Sequence, residues 1–210
     1  MTIDSYLTVK KKARANLKVK DSKFTATVKP VKTEEEALEF IEEVSKEFYD
    51  ATHNVSAFKV GFGDKAIKRY DDDGEPSQSS GPPVLQAIEG NDLTNVAVVV
   101  TRYFGGTKLG YGGLVRAYGD SAQVGLKEAE VREMTRYYLV KIEVPYDRMG
   151  NVVNEIQSGI GQIKDTEYSN DGVAVLADLL PTYYEGFKKK MVDVTRGKAK
   201  ISIAREEFRG

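Results

Sequence analysis

Cysteine is absent from the 210 residues, and that absence excludes disulfides, thiolate nucleophiles, cysteine-ligated zinc and iron–sulfur clusters. Histidine occurs once. A multi-histidine metal site is therefore excluded, and a histidine general base can only be His53. No apolar run reaches the ~18 residues that a membrane helix needs, and Met1-Thr2-Ile3-Asp4-Ser5 is too polar to open a secretory signal. The expectation is a cytoplasmic protein with no membrane association. Standard nucleotide and hydrolase signatures are missing as well. Lys108 has neither the preceding glycine nor the following serine or threonine of a P-loop. Gly110-Tyr111-Gly112 is followed by no third glycine in register for a dinucleotide fingerprint, and no G-x-S-x-G surrounds Ser77 or Ser121.

Against those absences, 40% of the residues are hydrophobic, enough for a substantial core in one large domain or two small ones. The net charge of -1 conceals a polarity along the chain. Lys10, Lys11, Lys12, Arg14, Lys18, Lys20, Lys23, Lys29 and Lys32 face only Asp4 and Asp21. Then come Glu34, Glu35, Glu36, Glu39, Glu42, Glu43 and Glu47, with only Lys46 among them.

Apolar and polar residues alternate over 13–19 and again over 23–29, on either side of an Asp21-Ser22 turn, which predicts a hairpin with one basic face. Arg14, Lys18, Lys20 and Lys23 make that face a candidate phosphate-attracting surface, with a merely solvated face as the alternative. Thr33 and Glu36 form a capping box for a helix that buries Ala37, Ile41, Val44 and Phe48 and turns its glutamates outward. Strands over 54–61 and 65–70, a short helix over 82–89 and a strand over 96–100 buried on both faces follow. Leu114, Tyr118, Ala122, Leu126 and Ala129 recur at helical spacing. They predict a long helix that ends near Met134 and closes a first domain of residues 1–135.

Residues 136–210 carry a separate pattern. A strand through Tyr138 and Val144 precedes a helix through Met149 and Ile156. Strands over 162–168 and 173–180 are joined by Asn170-Asp171-Gly172, and a helix capped by Thr182 and Glu185 leads to a strand over 198–204. The order βαββαβ is the ferredoxin-like arrangement. The fold class expected is α+β in two domains.

Between the doubly buried strand and the long helix lies Thr101-Arg102-Tyr103-Phe104-Gly105-Gly106-Thr107-Lys108-Leu109-Gly110-Tyr111-Gly112-Gly113. Glycine at this density permits positive φ and close backbone approach, and the following helix start presents free N–H groups and a positive dipole end to an anion. Arg102 and Lys108 would add charge. A tight turn that needs glycine for geometry alone is the competing explanation. A second loop gathers Asp72, Asp73, Glu75 and Ser77 between a strand and a helix. Its spacing lacks the alternating ligands and terminal glutamate of an EF-hand, so a solvated turn with helix-capping serines is expected and no metal is assigned. His53 is a candidate for hydrogen-bonding phosphate or stacking on a base.

Five segments together resemble the IMPACT/YigZ family. They are Ala51-Thr52-His53-Asn54, Asp72-Asp73-Gly74-Glu75-Pro76-Ser77, Leu93-Thr94-Asn95-Val96, Val100 through Gly106, and Lys108-Leu109-Gly110 with Gly112 through Tyr118. The resemblance covers most of the first domain from Phe24 onward, and the βαββαβ tail is similar to the C-terminal domain of the family's prokaryotic members. It implies that the first domain has the fold of translation elongation factor domain IV and of the second domain of ribosomal protein S-five, and that the tail resembles the factor's domain V. It further implies that His53, Asp72, Asp73, Glu75, Ser77, Arg102, Tyr103, Lys108 and Arg116 line a common binding surface with no established catalysis. Eukaryotic relatives are translational regulators that act through an extra N-terminal RWD domain binding a kinase coactivator. No room for such a domain is expected here, so that route is not carried over. The chain departs from the family's usual run at Gln78, Ser79 and Ser80, where glycine, threonine and alanine are expected.

The resulting expectation is a non-catalytic RNA- or ribosome-binding protein with a role in translation regulation, with no cofactor and with RNA, the ribosome or a translation-related protein as its partner. The site would lie between the acidic loop and the glycine turn. Phosphate would meet His53, Arg102, Tyr103, Gly105, Gly106, Lys108, Gly110, Gly112, Gly113 and Arg116, with Tyr103 or Tyr111 stacking on a base. One alternative is an enzyme that holds a nucleotide on residues 105–113 with Asp72 or Asp73 placing Mg²⁺. Another is a protein–protein adaptor using the acidic helix or the ferredoxin-like sheet.

Overall fold

The computed structural model describes residues 4–210; Met1, Thr2 and Ile3, part of the polar opening segment, lie outside the described residues. The chain divides into two compact units, one of Tyr6–Glu133 and the other of Met134–Gly210 with Asp4 and Ser5. The elements up to the division are β1 (Ser5–Val9), β2 (Ala13–Val19), β3 (Ser22–Pro30), α1 (Glu34–Glu47), β4 (His53–Val60), β5 (Ile67–Asp71), α2 (Gly81–Gly90), β6 (Val96–Tyr103) and α3 (Tyr111–Glu128).

Strands β2-β3-β6-β4-β5 form one sheet in that order, and every neighbouring pair is antiparallel. The central strand β6 has helices on both faces, which is why its sequence is a continuous apolar run. Val96, Val98 and Val100 pack with Phe24, Ala26 and Val55 against Val84 and Ile88 of α2 and Leu114, Tyr118 and Ala122 of α3. Ala97 and Val99 meet Ala37, Phe40 and Val44 of α1 on the other face. All five β6 residues from Val96 to Val100 are 0% exposed, and each fully buried valine contributes about 1.5–3 kcal/mol. Helix α1 starts where the capping residues place it. Thr33 Oγ1 accepts from Glu36 N at 3.2 Å, and Glu36 Oε2 accepts from Lys32 N at 2.6 Å.

Two elements differ from the sequence expectation. Helix α3 ends at Glu128, not near Met134, and the next strand begins at Val131. Glu130 takes a left-handed φ of 56°, and the N–H groups of Lys10 and Lys11 donate to the Ala129 and Glu130 carbonyls. Backbone partners from a distant segment thus stop the helix where apolar periodicity alone would extend it. Strand β1 has no counterpart in the expected order; it is fixed by long-range bonds such as Thr94 N to Leu7 O at 3.0 Å and Thr8 Oγ1 to Asn95 O at 3.1 Å.

The remaining elements are β7 (Val131–Val144), α4 (Met149–Glu155) running into a π-helical turn at Ile156–Ile160, β8 (Gly161–Ser169), β9 (Gly172–Leu179), α5 (Pro181–Thr195) and β10 (Lys200–Arg209). The strand order β10-β7-β9-β8, antiparallel throughout, is ferredoxin-like. Val140, Ile142, Val175 and Ala177 meet Val152, Phe187 and Met191 of the helices. The opposite sheet face carries ion pairs, with Asp178 held by Arg209 and Lys164. Asp178 is only 4% exposed, and although burial opposes its ionisation, Arg209 and Lys164 hold its carboxyl below the ordinary range. The expected Thr182 cap of α5 is not made. Leu180 is the capping residue without a side-chain bond, and Pro181 takes the first helical position, where a missing N–H is harmless. The expected boundary after residue 135 falls inside β7. Among the described residues, no helix is long and apolar enough to cross a membrane.

Candidate nucleic-acid interface

Register places three key side chains in one row. Phe24, Arg102 and His53 are direct cross-strand partners on β3, β6 and β4 and so share the α2/α3 face. Arg102 is turned inward and is only 5% exposed. Its Nη1 donates to Glu75 Oε1 at 2.5 Å, and its guanidinium lies over the rings of Phe24 and Phe104 at 5.5 and 5.4 Å. Tyr118 Oη donates to the same Glu75 oxygen at 2.8 Å and packs edge-on against Phe24 at 5.2 Å. Burial, followed by the Glu75 charge, pushes the Tyr118 hydroxyl well above the usual tyrosine range, which keeps it a donor. Arg102 therefore locks the acidic loop in place and does not offer its charge to a ligand outside.

The acidic loop is more than a solvated turn. Asp72 takes the capping role expected of the serines, accepting from Gln78 N at 2.7 Å, Ser80 N at 3.1 Å, Ser80 Oγ at 2.8 Å and Gly81 N at 2.7 Å. Burial works against the Asp72 charge, but the N–H groups of Gly81, Gln78 and Ser80 outweigh it and hold the carboxyl below its ordinary range. Asp73 Oδ2 accepts from Asn54 N at 2.6 Å, and Asp71 Oδ1 accepts from Asp73 N at 2.8 Å. Ser77 stands exposed at the loop tip. Among the described residues, no three histidine, aspartate or glutamate side chains converge as metal ligands.

The departure at Gln78 has a structural counterpart: its φ is 63°, a conformation natural to the glycine that the family run leads one to expect. Its backbone N–H and C=O are both engaged, to Asp72 and by Tyr111 Oη, and neither bond needs the side chain. Relief of about 1–2 kcal/mol of left-handed strain exceeds the entropy cost of about 0.5–1 kcal/mol for glycine. Gln78→Gly is thus expected to raise stability slightly, as a rise in the thermal midpoint.

The glycine turn docks on the β2–β3 turn. Gly105 N donates to Ser22 Oγ at 3.3 Å, Thr107 Oγ1 to Asp21 Oδ2 at 2.7 Å, and Lys20 Nζ to Lys108 O at 3.4 Å. Gly110, at φ 72°, precedes the 18-residue α3 and supplies no side-chain cap. The N–H groups of Tyr111, Gly112 and Gly113 have no intrahelical acceptor by geometry and no side-chain acceptor among the described residues. Arg116 curls back along this first turn, with Nη1 3.8 Å from where a Cβ on Gly112 would stand.

The basic hairpin sorts into two ends. Lys10 and Lys11 pair with Glu130, Lys12 with Glu43, and Arg14 with Glu47 through two hydrogen bonds. The charge polarity along the sequence is thus largely cancelled in space, and the acidic helix closes over one end of the hairpin. Lys18, Lys20, Lys23 and Lys108 are exposed and have no ion-pair partner among the described residues. These four gather at the end of the sheet where the β2–β3 and glycine turns meet. Tyr111 is 58% and Phe104 45% exposed. Tyr103, the cross-strand partner of Lys23, lies on the α1 face and donates to Asp50 Oδ1 at 2.6 Å, which raises its own pKa. Phe104 and Tyr118 were not legible as site residues, although a tyrosine hydroxyl at a core helical position signals a buried polar partner.

The Impact N-terminal domain family matches residues 20–126, a span that holds these side chains from Lys20 to Tyr118. Over 204 residues the chain is 36% identical to the IMPACT family member YvyE of Bacillus subtilis, covering 95% of this chain and 91% of that protein. It is 38% identical over 182 residues to an IMPACT family member from the pol 5′ region of Thermus thermophilus, covering 86% and 97%. A crystal structure titled as that of a hypothetical protein superposes with a TM-score of 0.65 at 26% identity, over 97% of this chain and 99% of the other. The chain therefore belongs to the IMPACT family.

Proposed function

We propose that this protein binds single-stranded RNA through its phosphate backbone, without catalysis, and acts in that way on translation. The observation that supports the reading is the sorting of the basic residues. Remote from the glycine turn, Lys10, Lys11, Lys12 and Arg14 pair with glutamates, whereas among the described residues Lys18, Lys20, Lys23 and Lys108 have no ion-pair partner near a helix start that lacks a side-chain cap. Exposed Phe104 and Tyr111 offer ring faces to unstacked bases, which a duplex does not present. The enzyme alternative needs a carboxylate to place Mg²⁺ near the turn, but both oxygens of Asp72 already accept from N–H groups of its own loop, and one oxygen of Asp73 accepts from Asn54 N.

Fluorescence anisotropy with labelled oligonucleotides tests this. Binding to single-stranded RNA is expected to weaken with salt at a log–log slope of about -3, from four phosphate contacts at roughly 0.7 each, and duplex RNA is expected to bind more weakly. No binding at low salt would contradict the reading and favour a protein partner.

A further inference from the structure

We propose that His53 Nε2 accepts a hydrogen bond from a ribose 2′-hydroxyl, so that the site selects RNA over DNA; this rests on the RNA-binding reading above. His53 opens β4, and its side chain is 22% exposed. Nδ1 lies 2.6 Å from the Asp73 carbonyl oxygen. A carbonyl only accepts, so Nδ1 carries the hydrogen and Nε2 of the neutral ring presents a lone pair. Glu75 Oε2 stands 4.0 Å from Nε2, beyond hydrogen-bonding reach, and is itself an acceptor. The other Glu75 oxygen is filled by Arg102 and Tyr118. Among the described residues, no N–H or O–H group donates to Nε2, so the donor it lacks must come from water or a ligand.

Position and chemistry point to a sugar hydroxyl. Thr52 Oγ1, one residue before His53, accepts from Phe104 N at 3.0 Å, which ties the start of β4 to the residue that opens the glycine turn. His53 shares its sheet face with Arg102 and Phe24, whereas Lys23 of β3 pairs with Tyr103 on the other face. A surface that reads phosphates without regard to sequence meets one donor at every nucleotide whatever the base, and that donor is the 2′-hydroxyl. Gly74 packs against the ring, where a Cβ would stand 3.7 Å from Nδ1 and Cε1, which holds the acceptor in a fixed direction.

The test compares the affinity of the intact protein for an RNA oligonucleotide, the DNA of the same sequence and its 2′-O-methyl RNA form. RNA should bind about three- to tenfold more tightly than DNA, the value of one hydrogen bond, and the 2′-O-methyl form, which keeps the oxygen but lacks the hydrogen, should bind like DNA. In His53→Asn the amide replaces Nδ1 and keeps the bond to Asp73 while removing Nε2. That variant should bind all three alike at the wild-type affinity for DNA, with an unchanged thermal midpoint. Equal, salt-sensitive binding of RNA and DNA by the wild type would overturn the hydroxyl contact and leave phosphate binding standing. An RNA preference that survives in His53→Asn would overturn the role of His53. Absence of binding to any of the three would overturn the underlying RNA reading itself.

Discussion

Replacing Glu75 by alanine is expected to destabilise the first unit by about 3–5 kcal/mol, the cost of leaving a buried charge without its partner. Arg102 is 5% exposed, and among the described residues its only ion-pair partner is Glu75. Phe24 and Phe104 lie against the guanidinium, but ring contacts of this kind supply only about 0.5–2 kcal/mol and already exist in the native protein, so they cannot replace the carboxylate. The substitution also orphans the Tyr118 hydroxyl, whose acceptor is the same oxygen. Glu75→Gln keeps an acceptor for both groups and loses only the negative charge, so its cost should fall between wild type and alanine. Urea unfolding read together with amide exchange of β6 would show the ranking in the correct unit. An alanine variant within 1 kcal/mol of wild type would mean that water or a shifted loop solvates Arg102 and that the pair does not fasten the loop.

Gly105→Ala should be the most damaging change in the glycine run. A Cβ at this position would stand 2.0 Å from the Asp21 carbonyl oxygen, so the glycine turn and the β2–β3 turn would have to separate. Overpacking of this sort costs about 1–3 kcal/mol, and the separation would disperse Lys20 and Lys108, with a loss of RNA affinity as well. Its neighbours are held for other reasons. Gly106 has φ 91° and nothing within 4 Å of a built Cβ, so alanine there adds left-handed strain of about 1–2 kcal/mol without a clash. Gly112 lies in the first turn of α3 with only the flexible end of Arg116 nearby, and alanine should stabilise it by up to about 1 kcal/mol. Thermal midpoints should thus rank Gly112→Ala above wild type, then Gly106→Ala, then Gly105→Ala. A Gly105→Ala variant with wild-type stability would show that the two turns do not touch.

The elements that the sequence discloses are those decided locally. The apolar run of β6 announces burial on two faces, Thr33 and Glu36 announce the start of α1, and the alternation and turn residues after Tyr138 trace the ferredoxin-like order. What stayed hidden depends on partners far along the chain. The end of α3 is set by N–H groups of Lys10 and Lys11 well over a hundred residues earlier. Arg102 reads as a free cation beside a glycine turn, and only the arrival of Glu75 from another loop shows that it is buried. The same holds for the basic residues: composition shows a basic segment followed by an acidic one, but which cations pair with Glu43, Glu47 and Glu130 is a matter of tertiary placement.

That placement supplies the most direct measurement of the central claim. Two variants that each remove four positive charges would be titrated with single-stranded RNA over a range of salt, one with Lys18, Lys20, Lys23 and Lys108 changed to alanine and one with Lys10, Lys11, Lys12 and Arg14 changed. Net charge falls equally in both, so a general electrostatic attraction would weaken both alike. If the unpaired lysines contact phosphate, the first variant loses most of its affinity and its salt slope falls toward zero, while the second keeps a slope close to wild type. Equal losses in the two variants, or a greater loss in the second, would contradict the claim.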